Sequence, residues 1–92
     1  MPMIDRLREK VRKRQYVMTL HAEEEMDNDG LTIFDVESVI LTGAVIERQR
    51  DQKSAERKYL VRGEVVDGRQ TAVVVSKLGP TERLVILTVY VD

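Results

Sequence analysis

The spacing of apolar residues predicts helices in the first half of this 92-residue chain and strands in the second. Ile4, Leu7 and Val11 recur at positions i, i+3 and i+7, so residues 3–13 are predicted to form a short amphipathic helix. Basic side chains surround this narrow apolar stripe. The pattern leaves three alternatives open, because the helix could dock on the rest of the chain, on a partner or on nucleic acid.

Two further helices are predicted from their end signals. Thr19 is a good N-cap, and Gly30 can adopt the left-handed conformation that closes a helix. Thr32 followed by Asp35 three residues later resembles a capping box with Asp in place of Glu. The helix that begins there is predicted to end at Gly43.

After residue 43 apolar residues alternate with polar ones, as in strands that have one buried face. Asp67-Gly68 is a strong signal for a hairpin turn. The last segment is apolar on both faces, which predicts a central position in a sheet. Four strands are predicted, over residues 44–50, 57–65, 69–78 and 84–91.

The predicted fold class is α+β, with N-terminal helices packed on a four-stranded antiparallel sheet. Residues 16–18 would add a fifth strand at an edge. The chain is short enough for one domain, predicted over residues 1–92. Its three parts are predicted to be a basic N-terminal helix (1–14), a helical hairpin (15–43) and an antiparallel β-meander (44–92).

The amino-acid composition excludes several kinds of functional site. The chain has no cysteine, which excludes disulfides, zinc–thiolate sites and thiol nucleophiles. No apolar run reaches the roughly 20 residues that span a bilayer, and the N-terminus lacks the apolar core of a signal peptide. We therefore expect a cytoplasmic protein that does not enter a membrane.

The net charge of −1 conceals three regions of different sign. Residues 1–14 carry six basic and two acidic groups, residues 15–47 carry eight carboxylates and no Lys or Arg, and residues 48–92 carry nine basic and six acidic groups. A dipolar surface of this kind can bind an anion on one side and a basic partner on the other.

One histidine and scattered carboxylates give no metal-ligand spacing, so neither a metal nor another cofactor is predicted. RNA cleavage without a metal needs a base, an acid and cations that stabilise the phosphorane. His21 lies in the first turn of a predicted helix, where the dipole disfavours its cation and suits a neutral base. Its alternative role is a structural hydrogen bond to a neighbouring strand. The other candidates of suitable type are Lys58, Tyr59, Arg62, Arg69, Lys77, Arg83 and Tyr90.

Alternation predicts that Lys58 and Arg62 share one face of their strand, and that Arg69 and Lys77 share one face of the next. Tyr59 falls on the apolar face and is predicted to lie in the core. Lys58, Arg69 and Lys77 are therefore candidates for binding the phosphates of a substrate. Only the register between strands decides which of these cations converge.

Four segments together resemble a known family: Thr19-x-His21-Ala22-x-x-x-Met26-x-x-x-Gly30, Asp35-Val36-Glu37, Tyr59-Leu60-Val61-x-Gly63 and Leu87-Thr88-Val89-Tyr90. They resemble a family of small bacterial domains of unknown function that is similar to the RelE/ParE-type toxin superfamily. The resemblance covers about residues 16–91. It implies a RelE/ParE-like fold, mRNA cleavage in solution or on the ribosome, and control by an antitoxin protein.

The resemblance implies catalytic roles for His21, Arg62 and Tyr90. Family members commonly carry Arg where this chain has Glu25 and Asp29, and that exchange works against phosphate binding along the second helix. The active surface is therefore expected on the sheet. The leading hypothesis is a toxin-like, metal-independent endoribonuclease. The alternatives are a non-catalytic interaction module with the toxin fold, and a nucleic-acid-binding protein that uses the basic N-terminal helix.

Overall fold

A computed structural model describes residues 2–50, 52–53 and 56–92. These residues form an α+β fold in which helices lead into a sheet, as the apolar spacing predicted. The described helices are α1 (Met3–Arg12), α2 (Leu20–Asp29) and α3 (Ile33–Thr42). The described strands are β1 (Tyr16–Met18), β2 (Ala44–Arg50), β3 (Arg57–Glu64), β4 (Thr71–Leu78) and β5 (Leu84–Val91).

The strands form one five-stranded sheet in the order β1-β5-β4-β3-β2. β2 to β5 are antiparallel neighbours and form the predicted meander. β1 occupies the predicted edge position, but it runs parallel to β5, so the sheet is mixed. The last strand is flanked on both sides, in agreement with its apolar character.

The return strand of the β3–β4 hairpin begins at Thr71, and not at residue 69 as predicted. Val65 and Gln70 are joined by a backbone hydrogen bond, and Gly68 has a positive φ of 71°. Arg69 therefore lies in the turn, where the backbone is bent around the Asp67-Gly68 pair, and does not belong to the strand. The prediction that Arg69 shares a strand face with Lys77 is wrong for this reason.

All three helices pack against the same face of the sheet. Buried helix residues such as Leu7, Val36 and Ile40 share one apolar cluster with Val61 and Val74, which alternate along the strands. Burial of apolar side chains of this size contributes about 1.5–3 kcal/mol each. The opposite face of the sheet, which we call the open face, has no helix over it in the described part of the chain.

α1 is docked on the rest of the chain, which decides among the alternatives for its apolar stripe. Leu7 and Val11 are buried in the common core. The Arg8 guanidinium donates Nη2–H to the Gly43 carbonyl at 2.8 Å and Nε–H to the Ile40 carbonyl at 3.3 Å. These carbonyls lie at the end of α3, where a helix leaves its acceptors unsatisfied and favours cations.

The predicted capping box at the start of α3 is confirmed. Thr32 accepts from the Asp35 backbone N–H, and the Asp35 carboxylate accepts from the backbone N–H of Thr32 at 2.9 Å. The same carboxylate accepts from the Val66 N–H at 3.0 Å, which ties α3 to the β3–β4 turn. Partial burial raises the pKa of Asp35, but the hydrogen bonds from Thr32 and Val66 outweigh it and the net pKa is lowered.

Two glycines allow the end of α3 to lie directly on the sheet. A Cβ atom on Gly63 would lie 2.2 Å from the Val39 carbonyl oxygen and 2.9 Å from the Gly43 Cα atom. No side chain fits there without moving the backbone of α3 or β3. None of the helices in the described ranges is long and apolar enough to cross a membrane.

Candidate functional site

The strand register brings Arg62 and Tyr90 to the same row of the open face. Val73 on β4 pairs with Arg62 on β3 and with Tyr90 on β5. Directly paired residues of antiparallel strands point to the same side of a sheet, so these two side chains flank Val73. Val73 is only 1% exposed, although it lies on the open face and does not belong to the apolar core that the helices cover. Two of the three predicted catalytic residues are therefore neighbours across one strand.

Arg62 already has an anionic partner within the chain. Its Nε forms an ion pair with the Asp92 carboxylate, and the Arg62 side chain remains 52% exposed. Tyr90 is 38% exposed. Both groups are accessible to a molecule that lies on the open face, but such a molecule competes with Asp92 for the guanidinium.

His21 lies at the edge of β5, at the same end of the sheet. α2 follows β1 directly, and Thr19 fixes its start by accepting from the Ala22 N–H and donating its hydroxyl to the Leu87 carbonyl at 3.1 Å. One turn later, Glu25 accepts the Val89 N–H at 3.1 Å. His21 Nε2 is 3.2 Å from the same Oε1 atom of Glu25. α2 thus places His21 beside the strand that carries Tyr90.

Glu25 is a further candidate residue, which the sequence analysis did not place beside His21. Its i, i+4 spacing from His21 places both side chains on one side of α2. This spacing is the feature of the sequence that could have predicted the contact. When Nε2–H donates to Glu25, Nδ1 carries the lone pair that can accept a proton. A carboxylate that orients an imidazole and stabilises its cation is a recurring arrangement for a general base. The pair has this chemical capacity, and the His21 side chain is 67% exposed.

The hydrogen bonds and ion pairs between described residues do not join His21 to Arg62 or to Tyr90. The three candidates therefore form an open arrangement along one end of the sheet. His21 and Glu25 lie at the edge of β5, Tyr90 lies on β5, and Arg62 lies two strands further in. A substrate that reached all three would have to lie across the strands.

The two candidate lysines lie in another row of the open face. Tyr59 pairs with Ser76, so Lys58, one residue earlier, and Lys77, one residue later, are placed beside each other. This row lies four residues along β3 from Arg62, or about 13 Å at the usual rise of a strand. Lys77 Nζ is 2.5 Å from the Glu56 carboxylate, whose negative charge compensates that of the ammonium group. Among the candidate cations on β3 and β4, the strand register brings Lys58 and Lys77 together.

Arg69 is separate from both rows. It lies in the β3–β4 turn with a side chain that is 87% exposed, and its Nε is 3.9 Å from the Asp67 carboxylate. A role in binding substrate together with Lys77 has no support in this geometry. Tyr59, by contrast, is 7% exposed and lies in the core as predicted.

A separate polar contact lies between β1 and α3. The Tyr16 hydroxyl donates to the Glu37 carboxylate at 2.5 Å. Burial and this carboxylate together raise the pKa of Tyr16 to about 12. The contact fastens the edge strand to the helical layer and does not lie on the open face.

Within residues 2–50, 52–53 and 56–92, no group of three His, Asp or Glu side chains is arranged to hold a metal ion. The independence of the proposed RNA cleavage from a metal ion stays a prediction. The described groups offer a carboxylate-oriented imidazole at the edge of β5, and a phenol and a guanidinium at the same end of the open face.

The fold and the candidate site define a small α+β domain with helices on one face of a mixed sheet and polar groups on the other. Residues 18–91 match the family described as Domain of unknown function (DUF4258), and the chain belongs to that family. No curated protein and no solved structure matches the chain. α1 and most of β1 precede the matched region.

Proposed function

We propose that this protein is a toxin-like domain that cleaves RNA without a metal ion. One observation carries the proposal. His21, oriented by Glu25, lies at the same end of the sheet as Tyr90 and Arg62. These are the residue types that RNA transesterification requires, and they come from α2, β5 and β3.

The reaction would use the 2′-hydroxyl of the RNA as its nucleophile. Nδ1 of His21 takes the hydroxyl proton while Glu25 stabilises the imidazolium that forms. The 2′-oxygen bonds to the adjacent phosphorus, and the bond to the 5′-oxygen breaks. Tyr90 protonates the leaving oxygen, and the products are a 2′,3′-cyclic phosphate and a 5′-hydroxyl.

Arg62 would stabilise the charge that develops on the phosphorane. In the free protein the Arg62 guanidinium is paired with the Asp92 carboxylate. A substrate phosphate would displace that carboxylate and take its place as the anionic partner. Arginine suits this role because its planar donors can bind two oxygens at once. The Asp92 ion pair keeps the side chain at the correct end of the sheet before substrate arrives.

The test is incubation of the purified protein with long mixed-sequence RNA in EDTA, alongside His21→Ala. We expect discrete fragments that end in 2′,3′-cyclic phosphates, and a loss of at least about 100-fold in the variant. Glu24→Ala, which alters an exposed neighbour on the same helix, is the matched control and should cleave normally. Equal cleavage by His21→Ala and the unaltered protein, with both folded, would contradict the mechanism.

A second candidate function is a non-catalytic interaction module with the same fold. It is favoured by the internal ion pairs that neutralise Arg62 and Lys77, and by apolar residues that remain exposed on or near the open face, such as Val17. A partner protein such as an antitoxin would then cover this face. RNA that stays intact both free and on ribosomes would favour this module over the nuclease.

A further inference from the structure

The outer side of β2 is a sheet edge that the other described strands leave unpaired. β2 is last in the strand order and is bonded only to β3 within the described sheet. α1 approaches its beginning, where Arg8 binds the Gly43 carbonyl. No hydrogen bond between described residues reaches the backbone of residues 47–50 from the outer side. Such an edge offers N–H and C=O groups to another strand.

Three arginines are concentrated at the far end of this edge. Arg48 and Arg50 are two residues apart and therefore share a face, and Arg50 is directly opposite Arg57 on β3. All three are exposed, and none of the ion pairs between described residues includes them. Like charges directly opposite each other destabilise a strand pair. An anionic partner would remove that cost.

The edge also has a concave, partly apolar surface. A shallow cavity of about 280 Å³ is lined by Val45, Ile46, Glu47 and Arg48. A second cavity, of about 140 Å³, continues along the strand at Arg48, Gln49, Arg50 and Arg57. Ile46 stands at the β-bulge and is 53% exposed. The strip combines an apolar end with a cationic end.

We propose that β2 binds an extended acidic segment of a partner protein by strand addition. Residues two apart on the incoming strand lie about 6.7 Å from each other, which matches the spacing of Arg48 and Arg50. Carboxylates at alternate positions would therefore face both arginines, while an apolar residue would reach Ile46. A polypeptide satisfies the free backbone groups, the apolar end and the cations, whereas RNA would use only the cations. This inference does not depend on the proposed nuclease activity.

The probe is a fluorescent decapeptide that alternates Glu with Val or Thr, and binding is measured by anisotropy. We expect Arg48→Glu/Arg50→Glu to weaken binding at least about tenfold, because two attractive pairs become repulsive. Arg69→Glu, a single charge reversal at an exposed turn arginine away from β2, is the control and should bind normally. Thermal unfolding of each variant checks that all are folded.

Two further peptides separate strand addition from simple charge attraction. A peptide of the same composition with its glutamates contiguous should bind more weakly. One N-methylated at alternate backbone nitrogens should lose binding, since it cannot complete the ladder. Amide exchange of residues 47–50 should slow when the unmodified peptide is bound.

Several results would overturn the proposal. Equal binding of the methylated and unmodified peptides would show that charge alone acts. Binding of an RNA oligonucleotide but not of the peptide, lost in Arg48→Glu/Arg50→Glu, would assign the arginines to phosphate. Self-association of that variant, with no peptide binding by the unaltered protein, would show that the arginines only prevent edge pairing.

Discussion

Glu25 connects a helix to a strand edge and to the one histidine of the chain. From the sequence alone, the negative charge of Glu25 is expected to oppose phosphate binding along α2. In the structure the carboxylate accepts the Val89 N–H where β1 no longer covers β5. The same oxygen is within reach of His21 Nε2. The negative charge therefore has both a structural partner and a candidate catalytic one.

Glu25→Gln separates these two roles. The glutamine carbonyl can still accept the Val89 N–H, but it cannot stabilise an imidazolium by charge. We expect RNA cleavage to fall at least about tenfold while the melting temperature stays within about 2 °C. Glu24→Gln is the control, since this exposed side chain has neither contact. Unchanged cleavage by Glu25→Gln would remove Glu25 from the mechanism and leave it a structural residue.

The raised pKa of Tyr16 predicts that the free energy of unfolding falls as the pH becomes strongly alkaline. Its pKa is raised from 10.0 to about 12 by burial and by Glu37, so the unfolded chain loses this proton first. The contribution is fully present below pH 10 and is lost as the pH rises toward 12.

The measurement is urea unfolding of the unaltered protein and Tyr16→Phe at about pH 9 and about pH 11.5. At the lower pH we expect Tyr16→Phe to be less stable by about 1 kcal/mol, because it lacks the hydrogen bond to Glu37. At the higher pH the difference should shrink, because only the unaltered protein must retain the Tyr16 proton in order to fold. A difference that stays constant would mean that the hydroxyl titrates alike in both states.

At the scale of elements, the junction of α3 with β3 depends on the absence of a side chain at Gly63. A methyl group there would overlap the Val39 carbonyl, and relief requires α3 to move away from the sheet. We expect Gly63→Ala to lower the free energy of unfolding by at least about 2 kcal/mol. Gly79→Ala is the matched control, because its added Cβ would be 3.4 Å or more from its neighbours. Equal stabilities would show that the junction relaxes without cost.

Local sequence patterns predicted helix ends correctly where the hydrogen bonds that form them join residues a few positions apart. The Thr32–Asp35 box and the turn glycine at Gly30 determine helix ends through contacts within one turn, so both could be read directly. The position of Arg69 could not, because the turn is closed by a bond between Val65 and Gln70 that spacing does not reveal.

The candidate site was predictable by residue type but not by arrangement. Which cations and phenols share a row depends on strand register, and register is decided by packing against the helices. Val73 joins Arg62 and Tyr90 only because β4 lies between their strands. The parallel pairing of β1 with β5 likewise spans most of the chain, so no local pattern signals it.

At the scale of the whole molecule, the segment before the family match is part of the common core. Leu7 is fully buried and Val11 is 4% exposed, and both belong to the same apolar cluster as the sheet residues. Arg8 supplies the donors that satisfy the end of α3. The basic residues of α1 can face solvent while its apolar side chains are buried in the core. The positive segment 1–14 and the negative segment 15–47 therefore belong to the surface of one domain.

Deletion of residues 1–14 should therefore destabilise the fold severely. Loss of the two buried side chains costs about 1.5–3 kcal/mol each, and the Arg8 hydrogen bonds add about 1–3 kcal/mol. The sum is comparable to the whole stability of an average small domain, about 5–15 kcal/mol. We expect residues 15–92 to be unfolded, or to melt far below the full chain, by circular dichroism.

One double variant and one single variant show where that loss arises. Leu7→Ala/Val11→Ala should reproduce most of it, because it removes the buried surface and keeps every charge of α1. Arg12→Ala, at an exposed position on the same helix, should leave the unfolding midpoint within about 2 °C of the unaltered protein. If residues 15–92 instead unfold cooperatively at the temperature of the full chain, α1 is an appendage. Its basic face would then be the first surface to test for nucleic acid, by the salt dependence of binding.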